Sequence, residues 1–324
     1  MDFNLDLFLQ ILIIGITYGA MIALIALGYT LVYGIVELIN FAHGEVFMMG
    51  AFFTMQVVLW VGVTSESATA AVVGALVLAL LAAMAFSGGI NYFIDRVAYR
   101  RLRNAPRLAP LIAAIGFSFI LQNIAIYWRG SNPVTPEAVI PLEIRSLNIL
   151  TAWFGLDTNL RIRLIDFLVV LVTIPILIGL SWFVYRTRTG AAMRATAQDR
   201  EAAALMGIDV NRTIGTAFLI GGALAGAAGM IAVYYLNSAR FQMGFQYGLF
   251  AFTAAVLGGI GNLSGAVLGG FLIGIIWAMS DGFIRQFIPE WGAQWTPTVI
   301  FGLLILVLVF RPSGLLGEQV PDRA

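Results

Sequence analysis

The chain has 324 residues, of which 60% are hydrophobic and only 11% are charged, with a net charge of +1 at pH 7. Soluble domains have about a quarter of their residues charged, so this composition excludes a soluble globular protein, a disordered chain and a nucleic-acid-binding protein. The chain contains neither Cys nor Lys, which excludes a disulfide framework, a Cys-based metal site and the lysine of a nucleotide-binding P-loop.

Nine apolar segments are predicted to lie in a membrane, because a bilayer core requires about 20 apolar residues per helix. Six are long enough to span it, at residues 7–32, 39–63, 69–93, 108–128, 165–185 and 213–236. Three are shorter, at residues 245–260, 266–279 and 295–310. The first two of these form either two spans or one broken helix. The sequence therefore predicts an all-α bundle of about eight to ten spans with discontinuous helices.

The Arg residues are unevenly distributed around these spans, and cytoplasmic loops accumulate Arg and Lys. Most of them lie at residues 96–107, at 186–212 and after residue 310. These three regions are predicted to be cytoplasmic, which places the N-terminus outside and the C-terminus in the cytoplasm. The chain is then a single transmembrane domain, 1–324, whose halves 1–185 and 213–324 have opposite orientations, as in the inverted repeats of transporters.

Two long loops are predicted to have structure of their own. The cytoplasmic loop 186–212 contains helix-forming residues at 191–206, followed by Gly207 where a helix C-cap glycine is expected. This predicted helix is either a docking segment that transmits a partner's motion or an interfacial helix without a partner. The external loop 129–164 is predicted to be an ordered lid or a set of short interfacial helices.

A polar interruption follows the first span and contains the first candidate site residues, which are Asn40, His43, Gly44 and Glu45. His43 is the only His in the chain, so no metal site is expected, since such a site needs three or more ligands. These residues either cap helix ends, or line a transport pathway or gate, or relay protons. The sequence leaves these three roles open.

Glycine clusters indicate places where helix backbones approach closely, as at Gly15 and Gly19, which share one helix face. The stretch 257–270 contains more glycine than helix packing requires, which is typical of a discontinuous helix or re-entrant element beside a watery cavity. Its candidate pathway or gate residues are Gly258, Gly259, Gly261 and Asn262. Three amides inside the spans are expected to form interhelical hydrogen bonds, namely Gln56, Gln122 and Asn123.

Residues 14–50 (IGITYGAMIALIALGYTLVYGIVELINFAHGEVFMMG) resemble the amino-terminal region of LivH-type permeases, the membrane subunits of bacterial ABC importers for branched-chain amino acids. Residues 252–270 (FTAAVLGGIGNLSGAVLGG), 194–207 (RATAQDREAAALMG) and 311–317 (RPSGLLG) are similar to further parts of the same family. The resemblance covers nearly the whole chain. The later Leu-Pro of the general ABC-importer coupling pattern is absent here.

The resemblance implies a type II ABC importer fold and alternating access powered by ATP hydrolysis. The partners that it implies are a second permease of LivM type, two cytoplasmic ATPases and a periplasmic binding protein, in a bacterial inner membrane. ATP and Mg²⁺ would be bound by these partners, so no cofactor, metal or catalytic residue is expected in this chain. The implied ATPase-coupling residues are Arg194, Asp199, Arg200, Glu201, Ala202, Ala203 and Gly207.

The substrate is left open by the sequence. A mostly apolar path is compatible with branched-chain amino acids, but also with amides, urea or aromatic acids, and substrate choice is expected to lie mainly in the binding protein. Two other classes compete with the importer subunit. One is a secondary or proton-coupled carrier that uses His43 and Glu45, and the other is an integral-membrane enzyme, which no sequence feature favours.

Overall fold

The structure is a computed structural model that describes residues 5–103, 105–106, 108–140, 147–155, 160–288 and 290–317. Arg107, Arg145 and Arg323, which contribute to the predicted orientation, lie outside these residues. The described chain consists of α-helices with short 3₁₀ and π turns, and its β-type pairing is limited to two isolated bridges. The predicted all-α fold class is confirmed.

Twelve helices organise the described ranges. In chain order they are α1 (Leu5–Val36), α2 (His43–Val61), α3 (Thr69–Ile94), α4 (Leu108–Arg129), α5 (Ile149–Phe154), α6 (Leu164–Arg186), α7 (Arg188–Gln198), α8 (Arg200–Leu205), α9 (Val210–Leu236), α10 (Met243–Gly258), α11 (Leu263–Ala278) and α12 (Thr296–Phe310). α3 and α11 each continue through a π turn, at Asp95–Tyr99 and Met279–Phe283.

Seven of these helices are long and apolar enough to cross a membrane, namely α1, α2, α3, α4, α6, α9 and α11 with its π turn. The shorter apolar helices are α10 and α12. Together they correspond to the nine predicted apolar segments. α10 and α11 pack side by side in opposite directions, with Gly258 against Gly265 and Ala254 against Gly269. The alternative of a single broken helix is therefore wrong.

Small residues line the two seams that hold the centre of the bundle together. In the seam between α1 and α11, a Cβ atom added to Gly19 would lie 2.7 Å from the Cα atom of Phe271. In the seam between α3 and α9, a Cβ atom added to Gly222 would lie 2.6 Å from the Cβ atom of Asn91. Both helix pairs are antiparallel and approach backbone to backbone, as the glycine spacing predicted.

Two connections of the same conformation follow α1 and α9, and we call residues 37–42 and 237–242 the re-entrant turns. Each begins with a non-glycine residue in the left-handed region, Glu37 and Asn237, both at φ 54°. Each ends with the first helical amide donating to the carbonyl three residues earlier, from His43 and from Met243, both at 3.0 Å. α2 and α10 thus begin in the same way, although they belong to different halves of the chain.

The two long loops are ordered in their described parts. Loop 129–164 contains α5 and two bridges, one of which joins Val134 to Ala239 in the second re-entrant turn. In loop 186–212 the single predicted helix is wrong, because Asp199 has an extended backbone that separates α7 from α8 and caps α8 through its side chain. Gly207 follows α8 at φ +84°, as expected for a glycine beyond a helix end.

Candidate functional site

The first re-entrant turn carries the chain back into the bundle. The imidazole of His43 packs on the backbone of Gly28, which lies eight residues before the end of α1 at Val36. Eight helical residues measure about 12 Å, so α2 starts about 12 Å back along α1. The interruption predicted from sequence is therefore a re-entry, and the first turn of α2 is fully surrounded by protein.

Asn40 fixes this turn to two other helices. Its Oδ1 accepts a hydrogen bond from the amide of Ala42 at 3.1 Å, and its Nδ2 donates to Oδ1 of Asn91 on α3 at 2.9 Å. Asn91 in turn donates to the carbonyl of Phe218 on α9 at 2.7 Å. Asn40 therefore satisfies backbone and side-chain groups at a buried helix start, which agrees with the capping role among the three considered.

His43 is buried and makes an aromatic contact instead of a polar one. Its ring lies edge-on to Tyr29 with centroids 4.6 Å apart. In the described part of the chain neither ring nitrogen has a hydrogen-bond partner of normal geometry. His43 and Glu45 therefore share no hydrogen bond, and this arrangement gives no support to a proton relay between them.

Glu45 joins α2 to α4. Its Oε1 accepts hydrogen bonds from Nε2 of Gln122 at 2.7 Å and from Oγ of Ser118 at 3.2 Å. The interhelical bond expected of Gln122 is thus present, whereas Asn123 bonds to Phe119 of its own helix and that expectation is wrong. Sequence reasoning missed Ser118, which lies one helical turn before Gln122 and thus shares its face.

The first turns of α2 and α10 meet inside the bundle. Gly44 packs on the backbone of Gly244, and a Cβ atom added to Gly248 would lie 2.9 Å from the Cα atom of Gly44. Only glycine permits this approach, because a side chain at any of these positions would overlap the other helix. Both helix N-termini, which carry a partial positive charge, are therefore close together at the centre of the protein.

A cavity of about 570 Å³ opens beside this crossing, and we call it the central cavity. Its walls are Tyr29 of α1, the re-entrant turns, the first turns of α10 and one face of α4, and it opens at the surface of the bundle, where Phe119 and Phe245 are 60% and 59% exposed. Its lining includes Tyr29, Phe41, Ser118, Phe119, Gln122, Phe241, Gln242, Gly244, Phe245 and Gly248. This volume lies within the range of small-molecule sites, about 300–1,000 Å³, and the walls are largely apolar with few polar groups.

The glycine-rich candidates lie elsewhere. Asn262 donates to the carbonyl of Leu316 at 2.8 Å and accepts from the amide of Gly265 at 2.9 Å. The amide of Leu316 donates to the carbonyl of Gly258 at 2.9 Å, and Gly259 lies against Gly317. Gly258, Gly259 and Asn262 thus hold the carboxyl-terminal segment, while Gly261 lies beside Gly34 of α1, and none of the four lines the central cavity.

The segment 188–207, which we call the coupling segment, is fixed to the end of α1. The guanidinium of Arg200 donates to the carbonyls of Ile35 and Val36 at 3.0 and 2.6 Å. A cavity of about 420 Å³ separates α8 from the first re-entrant turn. Ala203 is buried, whereas two larger apolar side chains that follow it are exposed, Leu205 at 88% and Met206 at 83%.

The remaining coupling candidates have local roles in this segment. Arg194 donates to the carbonyl of Val184 at the end of α6. Asp199 accepts hydrogen bonds from the amides of Glu201 and Ala202 at 2.8 and 2.9 Å, which starts α8. The segment is therefore braced against α1 and α6, while the side chains of Glu201 and Ala202 are exposed. In the described ranges no group of three or more His, Asp or Glu side chains could hold a metal ion.

Comparisons with known proteins agree over nearly the full length. Residues 11–309 match the family model described as "Branched-chain amino acid transport system / permease component". The chain is 41% identical to the high-affinity branched-chain amino acid transport system permease protein BraD of Pseudomonas aeruginosa, over 98% of each chain. It is 36% identical to LivH of Escherichia coli, over 98% of this chain and 97% of that protein. No solved structure matches the chain significantly.

Proposed function

Because the chain belongs to the family of permease components of branched-chain amino acid transport systems, we propose that it is a membrane-spanning permease subunit of an ATP-driven importer. Together with a second permease it forms the translocation pathway for branched-chain or related apolar amino acids that a periplasmic binding protein delivers. The observation that carries the proposal is the family match over residues 11–309, which includes both re-entrant turns and the coupling segment. The sequence-based resemblance to the same family is thereby confirmed.

ATP hydrolysis is assigned to two partner ATPases, which bind ATP and Mg²⁺. The coupling segment supports their docking, since it offers an exposed apolar pair, Leu205 and Met206, beside a cavity at the end of α1. Arg200 ties this surface to the carbonyls that end α1, and the first re-entrant turn follows directly. Movement of the docked ATPases would therefore reach the start of α2 through contiguous contacts.

The proposed orientation places the coupling segment in the cytoplasm of a bacterial cell and the N-terminus outside. It is supported by the Arg residues beside the coupling segment and at the ends of α3 and α12. A native chain without Cys makes the test direct. Cysteine at Arg101 should react with a membrane-impermeant thiol reagent only from the cytoplasmic side, and cysteine at Ser65 only from outside. The reverse pattern would overturn this orientation.

Within the single domain we place an inverted repeat, with halves near 1–185 and 213–324. It is supported by the re-entrant turns, which begin with the same left-handed residue conformation and end with the same hydrogen bond, and by two equivalent glycine-lined antiparallel seams, each of which joins a helix of one half to a helix of the other. In this arrangement the turns enter the bundle from opposite membrane faces and meet at the centre, as discontinuous helices do in other transporters.

The importer proposal is tested by purification and reconstitution. Mild detergent extraction should recover this chain with a second permease and two ATPases, and proteoliposomes containing that complex should accumulate leucine only with ATP and the binding protein. Uptake by the chain without any ATPase would overturn the proposal. Replacing His43 by Gln provides the control for a proton-coupled carrier, whose uptake would lose its pH dependence, whereas ATP-driven uptake should keep the same pH profile.

A further inference from the structure

A groove of about 530 Å³ lies between α6 and α11, and we call it the α6 groove. Both helices pack on α1, but in the described chain they have little contact with each other, so the buried side chain of Leu27 on α1 forms the floor between them. The groove shares no lining residue with the central cavity. It is therefore a separate feature of the membrane-spanning helices.

The walls of the α6 groove are apolar over most of their length. Aliphatic side chains of α6 and α11 form them, namely Leu177, Ile178, Leu180, Leu263 and Val267. On α6 the lining extends from Leu177 to Arg186, which is about 14 Å along the helix. This length is close to the hydrocarbon depth of one leaflet, about 15 Å, so the groove has room for part of an acyl chain.

Polar and aromatic groups line the groove at the end where α6 ends and α11 begins. They are Ser181, Trp182, Tyr185, Arg186 and Ser264. The Trp182 and Tyr185 side chains are 63% and 52% exposed. Trp and Tyr beside an Arg at the end of a span are typical of the headgroup level of a bilayer. The groove therefore extends from the headgroup level into the hydrocarbon region.

The polar end of the groove carries positive charge without a counterion. No Asp or Glu of the described chain lines it, and neither of the two ion pairs in the described ranges includes Arg186. A second guanidinium, that of Arg194, lies 5.7 Å from the centre of the Tyr185 ring. The start of α11 adds the partial positive charge of a helix N-terminus. The charge of this end therefore complements an anionic group.

We propose that the α6 groove binds an anionic phospholipid, whose acyl chain packs on Ile178 and Val267 and whose phosphate accepts hydrogen bonds from Arg186. A free anion would leave the apolar walls empty, and the amine of a zwitterionic lipid would be repelled by the two guanidinium groups. The next residue, Thr187, caps α7 with its side chain. The bound headgroup therefore stabilises the joint between α6 and the coupling segment, whatever substrate the protein transports.

The test is photocrosslinking in the assembled complex, in nanodiscs of phosphatidylcholine with a minor share of phosphatidylglycerol. p-Benzoylphenylalanine replaces Ile178, and mass spectrometry of this chain identifies its lipid adducts. Phosphatidylglycerol should be enriched in these adducts about fivefold over the bilayer, the change that one Arg near an anionic surface provides. The control position is Ile305 of α12, which is 62% exposed against 64% for Ile178 and also precedes an Arg, Arg311. Because Ile305 lies outside the groove, its adducts should have the composition of the bilayer.

Two Arg variants separate the groove from general surface charge. Arg186→Gln should return the adducts at position 178 to the composition of the bilayer. Arg188→Gln removes the same charge from an exposed position outside the groove and should keep the enrichment. Arg186→Lys should keep part of it, because an ammonium group retains the charge but lacks the fork of donors. Equal enrichment at positions 178 and 305, or equal losses in the two Gln variants, would overturn the inference.

Two other occupants would each refute the lipid site. Excess inorganic phosphate should leave the adducts unchanged, and displacement of the lipid by phosphate would identify a site for a free anion. A crosslink from position 178 to another protein chain would show that a partner subunit fills the groove. The importer proposal is judged separately by ATP-dependent uptake. Normal uptake with adducts of bilayer composition would sink the lipid site alone, and lipid enrichment without ATP-dependent uptake would sink the importer alone.

Discussion

Arg200 links the coupling segment to the end of α1, and its replacement tests whether this link carries force. In Arg200→Gln the guanidinium bonds to the carbonyls of Ile35 and Val36 are lost. A buried hydrogen bond to a charged group contributes about 1.5–3 kcal/mol. Because Arg200 is only half-buried, we take about 1 kcal/mol for each bond after solvent screening.

The pair then contributes about 2 kcal/mol, which corresponds to about a thirtyfold change in the equilibrium between docked and undocked coupling segment. The ATPases should still bind, since Leu205 and Met206 are untouched. We therefore expect ATP hydrolysis to continue while leucine uptake falls, so that the number of leucine molecules transported per ATP decreases about tenfold or more.

The assay is paired measurement of leucine uptake and phosphate release in proteoliposomes. Arg188→Gln is the control, because it removes the same charge from an exposed position of the same segment, and it should keep the wild-type ratio. Arg200→Lys should give an intermediate ratio, since an ammonium group lacks the fork that reaches both carbonyls. A wild-type ratio in Arg200→Gln, or equal losses in the two Gln variants, would refute the mechanical role of this contact.

Three stability predictions follow from the packing. Gly19→Ala should lower the unfolding free energy in detergent by about 1–3 kcal/mol, because the added carbon overlaps α11. The control is Gly74→Ala, which should be neutral or stabilising by up to about 1 kcal/mol, because no atom lies within 4 Å of the added carbon. Equal effects of the two variants would contradict close backbone packing of α1 on α11. Asn91→Leu leaves Asn40 without its partner and should lower the unfolding free energy by about 2 kcal/mol, so an unchanged melting temperature would argue against that bond. Asn262→Ala should remove about 1 kcal/mol of helix capping and speed proteolysis of the carboxyl-terminal segment, and an unchanged cleavage rate would show that the contact is unimportant.

Much of the fold follows from local sequence. Long apolar runs predict helices because only a helix satisfies its backbone in lipid, and all nine runs are helical in the structure. The position of Gly207 just after a helix also follows from local sequence, because glycine readily adopts the left-handed conformation found there. The break between α7 and α8 was missed because the capping propensity of Asp199 outweighs the helix propensity of the surrounding Ala residues.

The site depends on contacts that local patterns do not specify. Ser118 and Gln122 meet Glu45 from 73 and 77 positions away along the chain. Asn123 was misassigned because one residue along a helix turns the side chain by about 100°, away from α2. A Phe followed three residues later by Gly begins at Phe41 and at Phe241 in the two re-entrant turns, but the same spacing occurs at five other positions in the chain, so it does not single out the turns.

The crossing of Gly44 and Gly244 has a mechanical consequence. A contact between two bare backbones has no rotamers that could absorb a displacement, so neither helix start can shift without displacing the other. A displacement of the start of α2 would therefore be passed at this contact to the start of α10. Under the proposed transport function, this shared contact would couple opening toward one membrane face to closing toward the other.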